Sequence, residues 1–114
     1  MKSKRMCFAC DLKSDPKLIE EYKEYHAAEN TWPAITQSIK DAGILNMEIY
    51  LLGNRLFMIM DVDDTFDPDR KKQMDEENPK VQEWEKLMWK FQKQLPEAKN
   101  GEKWVEMERV YAFQ

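Results

Sequence analysis

The sequence has few glycines and prolines, a single histidine and no long apolar run. Only 3 of its 114 residues are glycine and 5 are proline, while 42% are hydrophobic and 35% are charged. This composition excludes disordered and fibrous chains and is typical of one folded domain. Apolar runs such as Met58 to Met60 are too short to cross a bilayer, and the N-terminus lacks a secretory signal. We therefore expect a single domain over residues 1–114, located in the cytoplasm, with no membrane partner.

Concentrated charge of one sign is also absent. The 22 acidic and 18 basic residues are mixed along the chain and leave a net charge of −4. A chain without a basic face offers little to the phosphates of a nucleic acid, so nucleic acid is not an expected partner. The acidic stretch over residues 61–77 lacks the ligand spacing and the central glycine of a calcium loop. No metal site is expected there.

The two cysteines, Cys7 and Cys10, have the spacing of a redox or zinc motif. They lie within a predicted strand, where residues three apart face opposite sides of the sheet. A zinc site would need a second pair of ligands and a redox motif would open a helix, and the sequence supplies neither. We interpret both cysteines as small hydrophobic residues.

Helix starts are marked by a capping side chain followed by proline. This pair occurs three times, at Asp15-Pro16, Asp67-Pro68 and Asn78-Pro79. A residue before proline avoids helical geometry, so Trp32-Pro33 begins a further short helix, which is predicted to end at Gly43. Apolar residues at steps of three and four predict that the last helix continues to Leu95.

Apolar alternation predicts four strands, over residues 5–12, 44–52, 56–62 and 103–113. Gly53-Asn54 suits a hairpin turn between the second and third strands. The resulting order, βα(α)ββ(α)αβ, is that of the ferredoxin-like split βαβ sandwich, an α+β fold whose antiparallel sheet carries its helices on one face. The other sheet face would be an exposed apolar patch unless a second subunit covered it. We therefore expect a homodimer formed through the open sheet face.

His26, the only histidine, is the first candidate for proton transfer. Histidine titrates near neutral pH, so it can exchange protons with hydroxyl and ring oxygens. Tyr22 precedes it by one helical turn on the same face, and Trp32 follows at the break after the helix. Polar tips and aromatic rings together suit the hydroxyls and C–H faces of a monosaccharide. The alternative is a structural histidine in an aromatic core, with Trp84 as a further core residue.

A set of short features occurs in order from about Arg5 to the C-terminus. They are Tyr22-x3-His26, Trp32-Pro33, Gly43, Glu48-Ile49-Tyr50, Leu56-Phe57, Trp84 and Val110-Tyr111-Ala112-Phe113. In this set the chain resembles the L-rhamnose mutarotase family. The resemblance implies ferredoxin-like subunits of the dimeric α/β-barrel type that form cytoplasmic homodimers. It also implies an isomerase that interconverts the α and β anomers of a 6-deoxy-L-hexose without any cofactor.

The same resemblance implies roles for individual residues. His26 would be the catalytic proton donor, while Tyr22 and Trp84 would contact the sugar. Trp32 is expected to form a wall of the same pocket. A single acid/base that titrates near neutral pH can serve ring opening in both directions, so the reaction requires no metal.

Three departures from the rhamnose enzymes concern the substrate. Five residues separate His26 from Trp32, which is a longer spacing than in the rhamnose enzymes. Met47 stands where those enzymes place a sugar-binding tyrosine, and Glu85 stands where they carry a second tryptophan, so both positions are assigned to substrate binding. The longer spacing looks like the branch of the family associated with L-fucose. The catalytic base is left open between Glu85 and water.

Two other interpretations of the sequence are kept beside this one. Dimeric α/β-barrel oxygenases and haem-binding proteins share the predicted architecture and can also rely on one histidine and a tryptophan. A non-catalytic sugar-binding module would use the same pocket without turnover, because a fold does not dictate a function.

Overall fold

The computed structural model describes residues 3–99 and 101–113. It contains five strands and four α-helices in these residues, with a 3₁₀ turn at Ala28–Asn30 between the first two helices. The strands are β1 Lys4–Leu12, β2 Ile44–Leu52, β3 Arg55–Val62, β4 Gln92–Lys93 and β5 Val105–Glu106. The helices are α1 Pro16–Tyr25, α2 Pro33–Asp41, α3 Pro68–Glu76 and α4 Pro79–Met88.

The helix starts predicted from the sequence are confirmed. The side chains of Asp15, Asp67 and Asn78 each accept a hydrogen bond from a backbone N–H in the first turn of their helix. Each is followed by a proline, whose missing N–H would have had no partner inside the helix. Trp32 precedes Pro33 in extended backbone geometry and makes no side-chain cap.

The strands form one antiparallel sheet in the order β2-β3-β1-β4, and β5 also pairs with β1. This is the strand order of the ferredoxin-like split βαβ arrangement, so the predicted α+β fold is confirmed. The hairpin between β2 and β3 turns at Gly53, whose φ of 62° suits glycine. Next to it, the Asn54 side chain donates a hydrogen bond to the carbonyl of Leu12 at 2.9 Å, which ties the turn to the end of β1.

The helix-facing side of the sheet carries two clusters of buried side chains. The methionine cluster consists of Met6, Ala42, Ile44, Met58, Met60 and Val62. The aromatic cluster consists of Cys10, Leu12, Tyr22, Leu56, Met88 and Phe91. The strand register places the methionine cluster at one end of β1 and β3 and the aromatic cluster at the other. Trp104 packs against both clusters and joins them.

The opposite side of the sheet, here called the open face, is apolar in its centre and charged at its ends. Cys7 pairs with Ile59 and Ala9 pairs with Phe57, and all four side chains are half-buried. An ion pair flanks this centre at each end, Arg5 with Asp61 at 3.0 Å and Arg55 with Asp11 at 2.7 Å. No helix of the described chain covers this face.

Cys7 and Cys10 lie on opposite faces of β1, as the strand prediction requires. Cys10 is fully buried among the helices and Cys7 is half-buried on the open face, and both thiols are free. Burial raises the pKa of the Cys10 thiol to about 11, so it stays protonated at neutral pH. Cys10 therefore behaves as a small apolar residue of the aromatic cluster.

The predicted length of the last helix is wrong. α4 ends at Met88, and the chain then turns tightly, with the N–H of Phe91 donating to the carbonyl of Met88 at 2.9 Å. After the turn, β4 pairs Gln92 with Leu12. Phe91 and Leu95 are buried although they are not helical, which explains why the apolar periodicity extended too far.

The predicted final strand is also too long. Only Val105–Glu106 pairs as a strand, and one more bond, from the N–H of Met107 to the carbonyl of Cys7 at 2.8 Å, extends it. Beyond this point Val110, Tyr111 and Phe113 are 88%, 75% and 86% exposed. Apolar alternation predicts a strand only where a neighbouring strand is available, and these residues have none in the described chain.

No helix among residues 3–99 and 101–113 is long and apolar enough to span a bilayer.

Candidate active site

His26 caps the C-terminus of α1, and its ring is held by a backbone hydrogen bond. The Nδ1 atom lies 2.7 Å from the carbonyl oxygen of Tyr22, one turn earlier. Because a carbonyl can only accept, Nδ1 carries the hydrogen and donates it. In the neutral ring, Nε2 is then the unprotonated nitrogen. The helix end therefore sets both the orientation of the imidazole and its tautomer.

The surroundings of His26 favour its neutral form. Burial lowers the pKa of His26, and the hydrogen bond to the Tyr22 carbonyl only partly opposes that effect. Desolvation disfavours a charged group, so the imidazolium is the form that is penalised. At neutral pH the ring is therefore uncharged, with the lone pair of Nε2 free to take up a proton.

Two aromatic rings contact His26, and a third packs behind one of them. The ring of Tyr22 lies 4.1 Å from the His26 ring, at an angle of 30° between planes. Trp84, on α4, meets His26 edge-on at 5.4 Å, and Trp32 meets Trp84 at 5.0 Å. These four residues, here called the ring group, bring together α1, α4 and the segment before α2.

The segment between α1 and α2 places Trp32 against Trp84. The chain makes a 3₁₀ turn at Ala28–Asn30, and the side chain of Asn30 donates to the carbonyl of Glu24 at 2.8 Å. That bond ties the turn back to the last turn of α1. The five residues between His26 and Trp32 thus form a compact loop, and the indole packs against Trp84.

Tyr22 is a buried phenol and not a base. It is 4% exposed and packs edge-on against Phe91, with ring centroids 6.2 Å apart. Burial is the largest cause that raises the pKa of Tyr22, a thiolate at Cys10 would raise it further, and the neighbouring Gln92 side chain lowers it. The hydroxyl therefore stays protonated at neutral pH and can both donate and accept a hydrogen bond.

Met47 and Glu85 lie apart from the ring group. Met47 faces the helices from β2, but it pairs with Met60 and packs against the methionine cluster. Glu85 follows Trp84 on α4, and its charge acts on Lys103, whose Nζ donates to the Glu85 carbonyl at 3.0 Å. Their assignment to substrate binding stays a prediction, and among the contacts of the described residues none joins either one to His26.

A depression of about 310 Å³ opens beside the ring group. Tyr25 and Trp32 form its aromatic wall, and its polar rim is made by Glu21, Glu24 and Asn30. Tyr25 also touches Trp84 edge-on at 6.2 Å. Aromatic walls with a few polar groups are typical of small-molecule sites, and of sugars in particular. A second depression, of about 380 Å³, lies near Ser3 and Phe66 at the methionine end of the sheet.

Sequence reasoning missed two polar residues that are buried or half-buried. Gln92 was predicted inside the last helix, whereas it lies on β4 with its side chain buried. Lys103 was predicted to begin a strand, and no role was expected for its amine. In the structure burial lowers the pKa of that amine, and its Nζ lies 5.2 Å from the centre of the Trp89 ring. Among the described residues there is no group of three side chains suited to hold a metal ion.

Comparisons with known proteins match nearly the whole chain. The family model of L-rhamnose mutarotase matches residues 5–113. The chain is 42% identical over 113 residues to an L-fucose mutarotase of Xanthomonas campestris pv. campestris, covering 99% of this chain and 90% of that protein. It is 43% identical over 107 residues to a UPF0734 protein of Dictyostelium discoideum, covering 90% and 84%. The crystal structure of an L-rhamnose mutarotase from Formosa agariphila superposes with a TM-score of 0.70 at 25% identity, covering 97% of this chain and 99% of that one.

Proposed function

The chain belongs to the L-rhamnose mutarotase family. On this premise we propose that His26 transfers the protons when the enzyme interconverts the two anomers of its sugar substrate. The resemblance seen in the sequence is confirmed, and the chain is an isomerase that acts on 6-deoxy sugars. This outcome favours the mutarotase interpretation over an oxygenase, a haem-binding protein or a non-catalytic module. The observation that carries the role of His26 is its fixed tautomer, with Nδ1 bonded to the Tyr22 carbonyl at 2.7 Å.

Anomer exchange needs two proton transfers, one at each of the two oxygens bonded to the anomeric carbon. The anomeric hydroxyl loses its proton and becomes a carbonyl oxygen, while the ring oxygen gains a proton as its bond to the anomeric carbon breaks. The open aldehyde then rotates and the ring closes on its other face, which returns both protons. Both oxygens are bonded to the same carbon, so one nitrogen can reach each in turn.

Nε2 of His26 is suited to both transfers. The neutral ring takes the proton of the anomeric hydroxyl at Nε2 and, as an imidazolium, donates a proton to the ring oxygen. The lowered pKa of His26 makes the imidazolium a strong donor in the second step. Because Glu85 interacts with Lys103, we propose that His26, assisted by water, and not Glu85, takes up the proton of the anomeric hydroxyl.

The other members of the ring group would bind the sugar. The Tyr22 hydroxyl, which stays protonated, hydrogen-bonds a sugar hydroxyl and orients the ring of the substrate. Trp84 and Trp32 supply apolar walls for the C–H faces of the sugar. Met47 and Glu85 are proposed as outer contacts of the substrate, reached only by a sugar that extends beyond the ring group.

We propose L-fucose as the preferred substrate. The relative from Xanthomonas campestris is an L-fucose mutarotase, and 42% identity over nearly the full length supports the transfer. The longer loop before Trp32 looks like this branch, and Met47 and Glu85 also depart from the rhamnose enzymes. The pocket is thus expected to fit L-fucose better than L-rhamnose.

Saturation-transfer NMR tests the activity and the substrate together. Exchange between the α and β anomeric protons is measured for L-fucose and for L-rhamnose, with and without the protein. The protein is expected to speed exchange for both sugars, and more so for L-fucose. The matched control is His26→Ala protein. Exchange that the wild-type protein leaves unchanged for both sugars would sink the mutarotase proposal. A larger effect on L-rhamnose would contradict the choice of L-fucose alone.

We further propose that the chain forms a homodimer and acts in the cytoplasm. We also propose that residues 1–114 form one domain, of which residues 1, 2, 100 and 114 lie outside the described residues. The open face supports the dimer, because its centre around Phe57 and Ile59 is apolar and only half-buried in one subunit. The two flanking ion pairs would frame a two-fold contact between sheets. The free thiols of Cys7 and Cys10 suit a reducing compartment.

Sedimentation velocity tests the dimer. The wild-type protein is expected to sediment as a dimer at micromolar concentration. Ile59→Arg places a charge in the centre of the open face, away from the helix-side core, and should yield a folded monomer. The matched control is Arg5→Ala, at the rim, which should stay dimeric. A wild-type protein that sediments only as a monomer at micromolar concentration removes the proposal.

A further inference from the structure

Gln92 is a polar side chain at an apolar position of the fold. It is 3% exposed and is the one buried polar or charged residue of the described chain. Its pairing with Leu12 places both side chains on the helix-facing side of the sheet, next to the fully buried Phe91. Packing alone would fill such a position with an aliphatic residue. A glutamine there needs a polar reason.

The side-chain oxygen of Gln92, Oε1, has no hydrogen-bond partner. Among residues 3–99 and 101–113 it is the single buried side-chain polar atom left unpaired. The other described glutamines, Gln37, Gln73, Gln82 and Gln94, are exposed, so water can reach their amide oxygens. An unpaired buried acceptor destabilises the fold, so one that is retained calls for a partner that binds there.

The Gln92 side chain lies beside Tyr22, the proposed sugar contact. The Gln92 amide is close enough to the Tyr22 hydroxyl to alter the ionisation of that phenol. Tyr22 in turn lies against His26, with 4.1 Å between ring centroids. A ligand hydroxyl that bonds Tyr22 therefore comes within reach of Gln92. Hydroxyls are the donors that a sugar carries, and Oε1 can only accept.

We infer that Gln92 is a specificity-determining residue whose Oε1 accepts a hydrogen bond from one non-anomeric ring hydroxyl of the bound 6-deoxy sugar. The inference rests on the proposed function. A sugar that lacks this hydroxyl, or holds it in the other configuration, leaves the buried oxygen unpaired and is rejected. L-fucose and L-rhamnose differ in configuration at two of their three non-anomeric hydroxyls, so one buried acceptor can distinguish them.

The test measures exchange rates for L-fucose and its 2-, 3- and 4-deoxy analogues. Gln92→Met keeps the length of the side chain and removes its hydrogen bonds, and Gln73→Met, on the exposed side of α3, is the matched control. The wild type should lose about 10- to 100-fold in kcat/KM on one of the three analogues, as expected for a lost buried hydrogen bond. Gln92→Met should lose a similar factor in kcat/KM on L-fucose. On the analogue that the wild type handles poorly, Gln92→Met should show no further loss in kcat/KM.

Thermal unfolding without sugar separates this role from a structural one. Gln92→Met removes an unpaired acceptor, so its melting temperature should equal or exceed that of the wild type. A lower melting temperature, with an equal loss of rate on every sugar, would overturn the inference, because Gln92 would then hold the fold or a buried water.

Two further results complete the test. Where Gln92→Met does not fold, the wild-type series decides alone, and equal rates on all three analogues overturn the inference. Wild-type protein without activity on any sugar refutes the mutarotase proposal instead, so the two failures are distinguishable.

Discussion

The methionine cluster and the aromatic cluster share one face of one sheet, but they are built from different chemistry. In the methionine cluster, the paired strands place Met6 beside Met60, and Met47 of β2 packs against them. These side chains are flexible and apolar, and they fill space without polar tips. In the aromatic cluster, Tyr22 adds a hydroxyl and adjoins the polar Gln92 and the titratable His26. The comparison teaches that only one end of this core is equipped for chemistry, while the other stabilises the fold.

The largest effect expected at the aromatic end is on rate. His26→Ala should reduce catalysed anomer exchange by about 10²- to 10⁴-fold, the usual contribution of a general acid–base group. The side chain is half-buried and makes one backbone hydrogen bond, so the free energy of unfolding should fall by only about 1 kcal/mol. Saturation-transfer NMR and urea unfolding measure the two quantities. A variant that unfolds at room temperature would remove the distinction between the two clusters.

The corresponding change at the methionine end should act on stability. Met60 is 5% exposed, so Met60→Ala leaves a cavity and should lower the free energy of unfolding by about 2–5 kcal/mol. The rate per folded molecule should stay at the wild-type value, because no member of the ring group is touched. Urea unfolding gives the first number, and NMR exchange corrected for the folded fraction gives the second. A loss of rate as large as that of His26→Ala would contradict the division.

A smaller effect concerns pH. The pKa of His26 is lowered in the folded state from its ordinary value of 6.5. At a pH between the lowered pKa of the folded chain and 6.5, the unfolded chain therefore binds more protons than the folded one. Stability therefore rises with pH through this window and is lost as pH falls through it. His26→Gln should weaken that dependence, since the carboxylates common to both proteins cancel. Urea midpoints from pH 7 to pH 5 test it, and parallel curves for the two proteins would refute it.

Much of the fold followed from short local patterns. Asp15, Asp67 and Asn78 predicted their helices because capping and proline act within a few residues. Gly53-Asn54 predicted the hairpin for the same reason. Periodicity failed at Leu95 because it detects burial and not helical geometry. It failed again after Glu106 because a strand depends on a distant partner that the local pattern does not contain.

The candidate site was predictable only in part. Tyr22 and His26 share a helix face, so their contact follows from helical spacing. The contact of Trp84 with both His26 and Trp32 joins distant segments, and only the resemblance to the family suggested it. The burial of Gln92 was hidden because it depends on pairing with Leu12, a residue 80 positions earlier. Local patterns carry no information about such pairs.

The exposed C-terminal residues Val110, Tyr111 and Phe113 have a consequence for how much enzyme persists in a cell. A lone protomer would present them together with the apolar centre of the open face, and chaperones and proteases act on such surfaces. The proposed homodimer would assemble by mass action, so a concentrated protein would be protected and a dilute one would not. We therefore expect turnover of the enzyme to quicken as its abundance falls, which would give the cell a threshold in dosage rather than a graded supply.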